Sequence, residues 1–167
     1  TLFAWLCLTL GIGLGGYWAY YELGWGGYWG WDPVENAAFM PWLVATAFLH
    51  STMVQEKRKM FKVWNLFLII LAFSLSLIGT FLVRSGILSS VHSFAADPGR
   101  GVFILGFVTF MLVLSFGTLI LRSAKLRSEV RMESMVSRES VFLFNNLFFL
   151  VALVTVFVGT LYPLLME

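Results

Sequence analysis

The residues able to do chemistry are few. His50 and His92 are the chain's two histidines. Asp32 and Glu35 lie in the stretch GWGGYWGWDPVENAAFMPW, residues 24–42, which sets four tryptophans and one tyrosine among four glycines without a basic residue. Neutral imidazole is a common metal ligand and an axial ligand for haem iron. Indole faces offer flat apolar area with an N–H at one edge, and glycine lets a backbone come close to a ligand. Together they suit a planar, largely apolar, partly charged molecule. An aromatic belt at a membrane surface accounts for the tryptophans equally well, but not for the glycines. The lone Cys7 lies in an apolar run, which excludes a disulfide framework or a CxxC pair and reads as a packed thiol.

The elements that position these groups are membrane helices. Hydrophobic residues make up 59% of the 167 and charged residues 12%, about half the charge of a soluble domain. The fold class is therefore an all-α membrane protein. Spanning the hydrocarbon layer takes about 20 apolar residues, and residues 1–21, 63–83, 101–121 and 141–165 meet that length. A shorter fifth span, 37–54, contains His50. Residues 22–42 form an external segment. Nine of the 11 Lys and Arg residues fall in 55–62 and 122–140, so these loops face the cytoplasm by the positive-inside tendency. The aromatic stretch and the loop 84–100 then share the opposite side. No basic region precedes the first span, which argues against a signal peptide. The start without Met and the end two residues past a span read as a piece of a larger protein or a product of a split gene.

Asp32-Pro33-Val34-Glu35 reads as a capping box with proline at the first helical position. It predicts a short interfacial helix running through Phe39 into the second span, bent at Pro41 where the chain enters the membrane. His50 follows Pro41 by nine residues, ~14 Å along a helix, which sets it near the middle of the bilayer or a little past it. An ionisable ring there is costly and points to function. Thr46 and Ala47, one turn away, are small enough to leave room beside it.

With the histidines included, WGGYWGWDPVENAAFMPWL, ATAFLHS and GTFLVRSGILSSVHSFAADPGRG resemble the CcmF family, the haem lyases of system I cytochrome c maturation. That family carries the tryptophan-rich WWD motif, as does its nearest relative, the system II protein CcsA. The similarity runs from about Trp18 to Gly101, and Tyr28 stands where many members have Trp. The resemblance implies an external haem over a WWD surface of Trp25, Trp29, Trp31 and Asp32, with His92 as one axial ligand. It implies a separate haem b in the membrane with His50 as one ligand. Each histidine's partner ligand lies elsewhere in the family's full-length protein. Arg84 and Arg100 flank the His92 loop and could pair with haem propionates.

The implied activity is haem lyase chemistry, joining haem to the reduced thiols of an apocytochrome c CxxCH motif, with catalysis by positioning rather than by a catalytic residue of this chain. The implied surroundings are membrane lipid, the haem chaperone CcmE, CcmH, apocytochrome c and the rest of the CcmF protein or its split subunits, with no nucleic acid. The implied location is the bacterial inner membrane with the WWD loop in the periplasm, or the mitochondrial inner membrane equivalent. A transmembrane haem transporter and a b-type cytochrome subunit are the alternative readings.

Overall fold

The computed structural model describes residues 1–24, 27–92, 97–126 and 137–166. Among them the chain forms α1 (Leu2–Glu22), α2 (Pro33–Arg58), α3 (Lys62–Ser85), α4 (Pro98–Arg122), a 3-10 turn (Ser123–Leu126) and α5 (Arg138–Met166). All five α-helices are long and apolar enough to cross a membrane. The chain is a multi-pass, all-helical membrane protein.

Helix α2 is the hub. It packs against α1, α3 and α5, while α4 packs on α3. The core joins Met40, Leu43, Val44 and Ala47 of α2 to Leu68, Ala72 and Leu75 of α3 and Leu153 of α5. Lipid tails are as apolar as these side chains, so small residues and interhelical hydrogen bonds must supply much of the association. Both are present. Trp5 Nε1 donates to Thr46 Oγ1 (2.9 Å) and Trp42 Nε1 donates to Thr9 Oγ1 (2.8 Å). This reciprocal pair, with the two indoles stacked 6.1 Å apart, fastens α1 to α2. On the α3 side, Pro41 has no N–H to offer the Ala37 carbonyl four residues back. There α3 comes close, since a Cβ on Gly79 would stand 3.1 Å from that carbonyl oxygen.

Three expectations are corrected here. The predicted interfacial helix is not a separate element. The Asp32 cap opens α2 itself, which runs unbroken from Pro33 to Arg58 with Pro41 inside it. Polar Glu35 and Asn36 in its first turn lower the hydropathy that would otherwise reveal the longer span. The room at Thr46 and Ala47 is taken up by neighbouring helices, while the His50 ring itself stays half-exposed. Thr46 is buried in its bond with Trp5, and Ala47 is wholly inaccessible. Cys7 is exposed rather than packed, and among the described helices α1 packs against α2 alone.

Candidate functional site

The aromatic segment is held by the helix it precedes. Asp32 and Glu35 form the expected reciprocal capping box. Glu35 Oε2 accepts from Asp32 N (3.2 Å) and also from Gly30 N (2.9 Å), so one carboxylate folds the loop back over the helix start. Loop and α1 meet at Gly16, where a Cβ would lie 2.8 Å from the Tyr28 carbonyl oxygen. Only a residue without a side chain allows that approach. Trp31 adopts a left-handed backbone (φ 56°) and is 63% exposed. A non-glycine residue pays roughly 1–2 kcal/mol for this conformation. Buried Asn36 secures it, its Nδ2 donating to the Trp31 carbonyl (3.1 Å) and to Thr160 Oγ1 of α5 (3.0 Å). Trp29 meets Trp31 and Phe39 edge-on, at 6.2 and 5.5 Å between ring centroids. Trp25 lies outside the described residues.

His92 arrives from the α3–α4 connection. That connection is closed by Asp97 N donating to the Arg84 carbonyl (3.0 Å). His92 Nδ1 lies 3.2 Å from Asp32 Oδ2, in a pair whose side chains are only 16% and 10% exposed. Ser90 Oγ donates to the same carboxylate oxygen (2.6 Å) and accepts from His92 N (3.0 Å). A carboxylate can only accept, so in the neutral ring the proton sits on Nδ1 and the lone pair on Nε2. Carboxylate support of this kind orients a ligating histidine and makes it a better donor. The Trp18 ring lies 5.7 Å from the imidazole.

His92 and Trp29 line a cavity of about 290 Å³ with Leu8, Gly11, Ile12, Gly15, Gly16, Val34, Glu35 and Ala38. A Cβ added at Gly11 or Gly15 would meet nothing within 4 Å, so these glycines form a trough that side chains would otherwise fill. A second cavity of about 410 Å³ shares Leu8, Val34 and Ala38 and has Arg84 in its wall. Arg84 therefore adjoins the His92 cavity rather than lining it. Arg100 is turned to Asp97 in an exposed pair at 3.2 Å, and lines neither cavity.

His50 lies 18 residues beyond Asp32 along α2, about 27 Å away by helical rise. The two histidines thus belong to separate sites. The His50 ring is half-buried, 5.8 Å from Phe149, and its Nδ1 is 2.7 Å from Asn145 Nδ2. Among the described residues no other hydrogen bond engages the ring. No cluster of three or more His, Cys, Asp or Glu occurs among them either. One imidazole backed by a carboxylate beneath the aromatic loop and another set against Phe149 and Asn145 fit single axial ligation of haem better than a many-ligand metal ion. The glycine trough beside His92 fits a flat ring.

Sequence reasoning missed Trp18, Ser90, Asn36 and Asn145. Ser90 stands two residues before His92, and the asparagines interrupt apolar helices, which was the available signal.

Fold and site together define a polytopic membrane protein with two separated histidines, one of them held by a carboxylate under an aromatic loop. The chain belongs to the cytochrome C assembly protein family, which it matches over residues 1–88. It is 58% identical over 167 residues to the cytochrome c-type biogenesis protein CcmF of Pseudomonas aeruginosa, covering all of this chain and 25% of that protein. It is 58% identical over 164 residues to CcmF of Escherichia coli, covering 98% of this chain and 25% of that one. CycK of Rhizobium meliloti is 56% identical over 167 residues, again all of this chain and 25% of the relative. A solved structure of cytochrome c heme lyase CcmF superposes with a TM-score of 0.75 at 42% identity, covering 98% of this chain and 24% of that one. The CcmF resemblance is borne out, and the chain spans about a quarter of the length of these relatives.

Proposed function

We propose that this chain is the segment of a CcmF-type haem lyase that presents one face of an external haem to apocytochrome c. The observation that carries the reading is the Asp32–His92 pair set against the Trp29 and glycine-walled cavity. His92 would supply one axial nitrogen through Nε2, with Asp32 and Ser90 fixing its ring. Trp29 would offer a ring face to the haem beside His92, with Trp31, set edge-on to it, and Trp25 at the border of that surface, and Arg84, in the adjoining cavity, would offer a cation to a propionate. Thiols of CxxCH add across the vinyl groups of the substrate haem, each sulfur bonding one vinyl carbon while the proton passes to the other. This chain's residues hold and orient, which shortens the search for that geometry.

His50 would hold one side of a second, membrane-level haem b, a group that supplies one-electron redox chemistry when bound. The remaining ligands, and contacts with CcmE, CcmH and apocytochrome c, would come from outside this chain. The aromatic end would face the periplasm across the bacterial inner membrane, with the basic loops inside.

The test is His92→Gly in the full-length protein. Cytochrome c maturation should stop while the haem at His50 stays, and added imidazole should restore part of the activity by filling the hole. A packing defect has no reason to respond to a small nitrogen base. Wild-type maturation without imidazole would remove His92 from the mechanism.

A further inference from the structure

Asn145 and Asn146 sit side by side on α5 in an otherwise apolar stretch, and the fold uses them differently. Asn146 is wholly buried, and with its amide oriented to suit its neighbours it donates to the Ala47 carbonyl (3.0 Å) and accepts from Trp64 Nε1 (3.1 Å). It ties α5 to α2 and α3 and fixes the rotation of α5. Asn145 is directed to His50 by that rotation, 2.7 Å from Nδ1. Phe149, one turn further on, packs against the same imidazole. Intramembrane polar side chains are rare, and one aimed at an ionisable ring calls for a reason.

We infer that Asn145 is a positioning residue for His50, setting the tautomer and donor strength of its imidazole; this rests on the reading of His50 as a haem ligand. An amide carries both an acceptor and a donor. With Nδ2 toward the ring, Nδ1 accepts and the proton sits on Nε2, which closes that nitrogen to iron. A half-turn of the amide about Cβ–Cγ brings Oδ1 to the same place. Oδ1 then accepts from Nδ1–H and leaves the Nε2 lone pair for iron. The side chain can therefore satisfy the ring in both states, where a carboxylate or a lysine could serve only one. An acceptor on Nδ1–H also makes Nε2 more electron-donating, which favours ferric over ferrous iron and lowers the reduction potential.

The experiment is potentiometric titration of the b-type absorption in the full-length protein, with haem content measured alongside. Asn145→Leu removes the acceptor, and Asn145→Asp supplies a stronger one. The midpoint potential should rise in the leucine variant and fall in the aspartate variant, at wild-type haem content. Loss of haem in Asn145→Leu with retention in Asn145→Asp would support the same role, because only the acceptor differs. Wild-type potential and haem content in Asn145→Leu would overturn it, as would equal haem loss in both variants, the mark of a packing defect. His50→Gly runs in parallel and separates the two levels. If it keeps the full b-type absorption, the His50 reading itself falls. If it loses the band while Asn145→Leu matches wild type, only the inference about Asn145 falls.

Discussion

Replacing Asp32 by alanine removes two functions that converge on one carboxylate oxygen. Oδ2 accepts from Val34 N at 3.0 Å and from Ser90 Oγ at 2.6 Å, and faces His92 Nδ1 at 3.2 Å. The first contact caps α2. Losing such a cap costs about 1 kcal/mol of stability. The other two hold the imidazole, and removing a group that supports a ligand typically costs about 10- to 100-fold in affinity. Asp32→Asn separates the two effects. Asparagine caps a helix as well as aspartate does, and its Oδ1 can still accept from Nδ1–H without the charge. Stability should rank wild type and Asp32→Asn together above Asp32→Ala, whereas affinity for haem at the external site should fall stepwise from wild type through Asp32→Asn to Asp32→Ala. The assay is thermal unfolding of the full-length protein in detergent, paired with optical haem titration in a His50→Gly background that silences the membrane-level site. Wild-type haem affinity in both variants would refute the argument and reduce Asp32 to a helix cap.

Two further outcomes follow from the backbone around the loop. Gly16→Ala should displace the loop, because its Cβ would stand 2.8 Å from the Tyr28 carbonyl, whereas Gly13→Ala meets nothing within 4 Å. Alanine gains up to about 1 kcal/mol of helix propensity at either place, so Gly13→Ala should unfold no earlier than wild type while Gly16→Ala loses external-site haem; equal haem affinity in the two would show that the close approach is unimportant. Trp31→Gly relieves the left-handed strain at φ 56° but frees the unfolded chain, and these effects of about 1 kcal/mol each nearly cancel. Thermal stability should then stay level while external haem capture drops, and unchanged capture would remove Trp31 from the binding surface.

The start of α2 was legible because its forces are local. Asp32, Pro33 and Glu35 lie within one turn, and the capping box they spell out is the one that forms. That His50 lies within a long apolar helix was likewise a matter of counting along the chain. Arg100 shows how sequence adjacency misleads. It stands near His92 in the chain, yet Asp97, three residues before it, captures its guanidinium. Arg84 comes nearer the site through the shared wall of two cavities, which no spacing rule would indicate.

By itself the sequence determined the class of fold and the residue types that could serve a flat, iron-bearing ligand. Apolar length decides what crosses a membrane, and it sums over neighbours in the chain. Tertiary structure alone decided the pairings. Asp32 meets His92 across 60 residues, His50 meets Asn145 across 95, and Asn36 meets Thr160 across 124. The physical reason is that a membrane helix is apolar on its lipid face and its protein face alike, so hydropathy carries no record of which side turns inward. The rotation of each helix is set by a few close approaches and polar ties, such as Gly16 under Tyr28 and Trp42 against Thr9. Those contacts join residues far apart in the chain, and they come into being only when the helices pack.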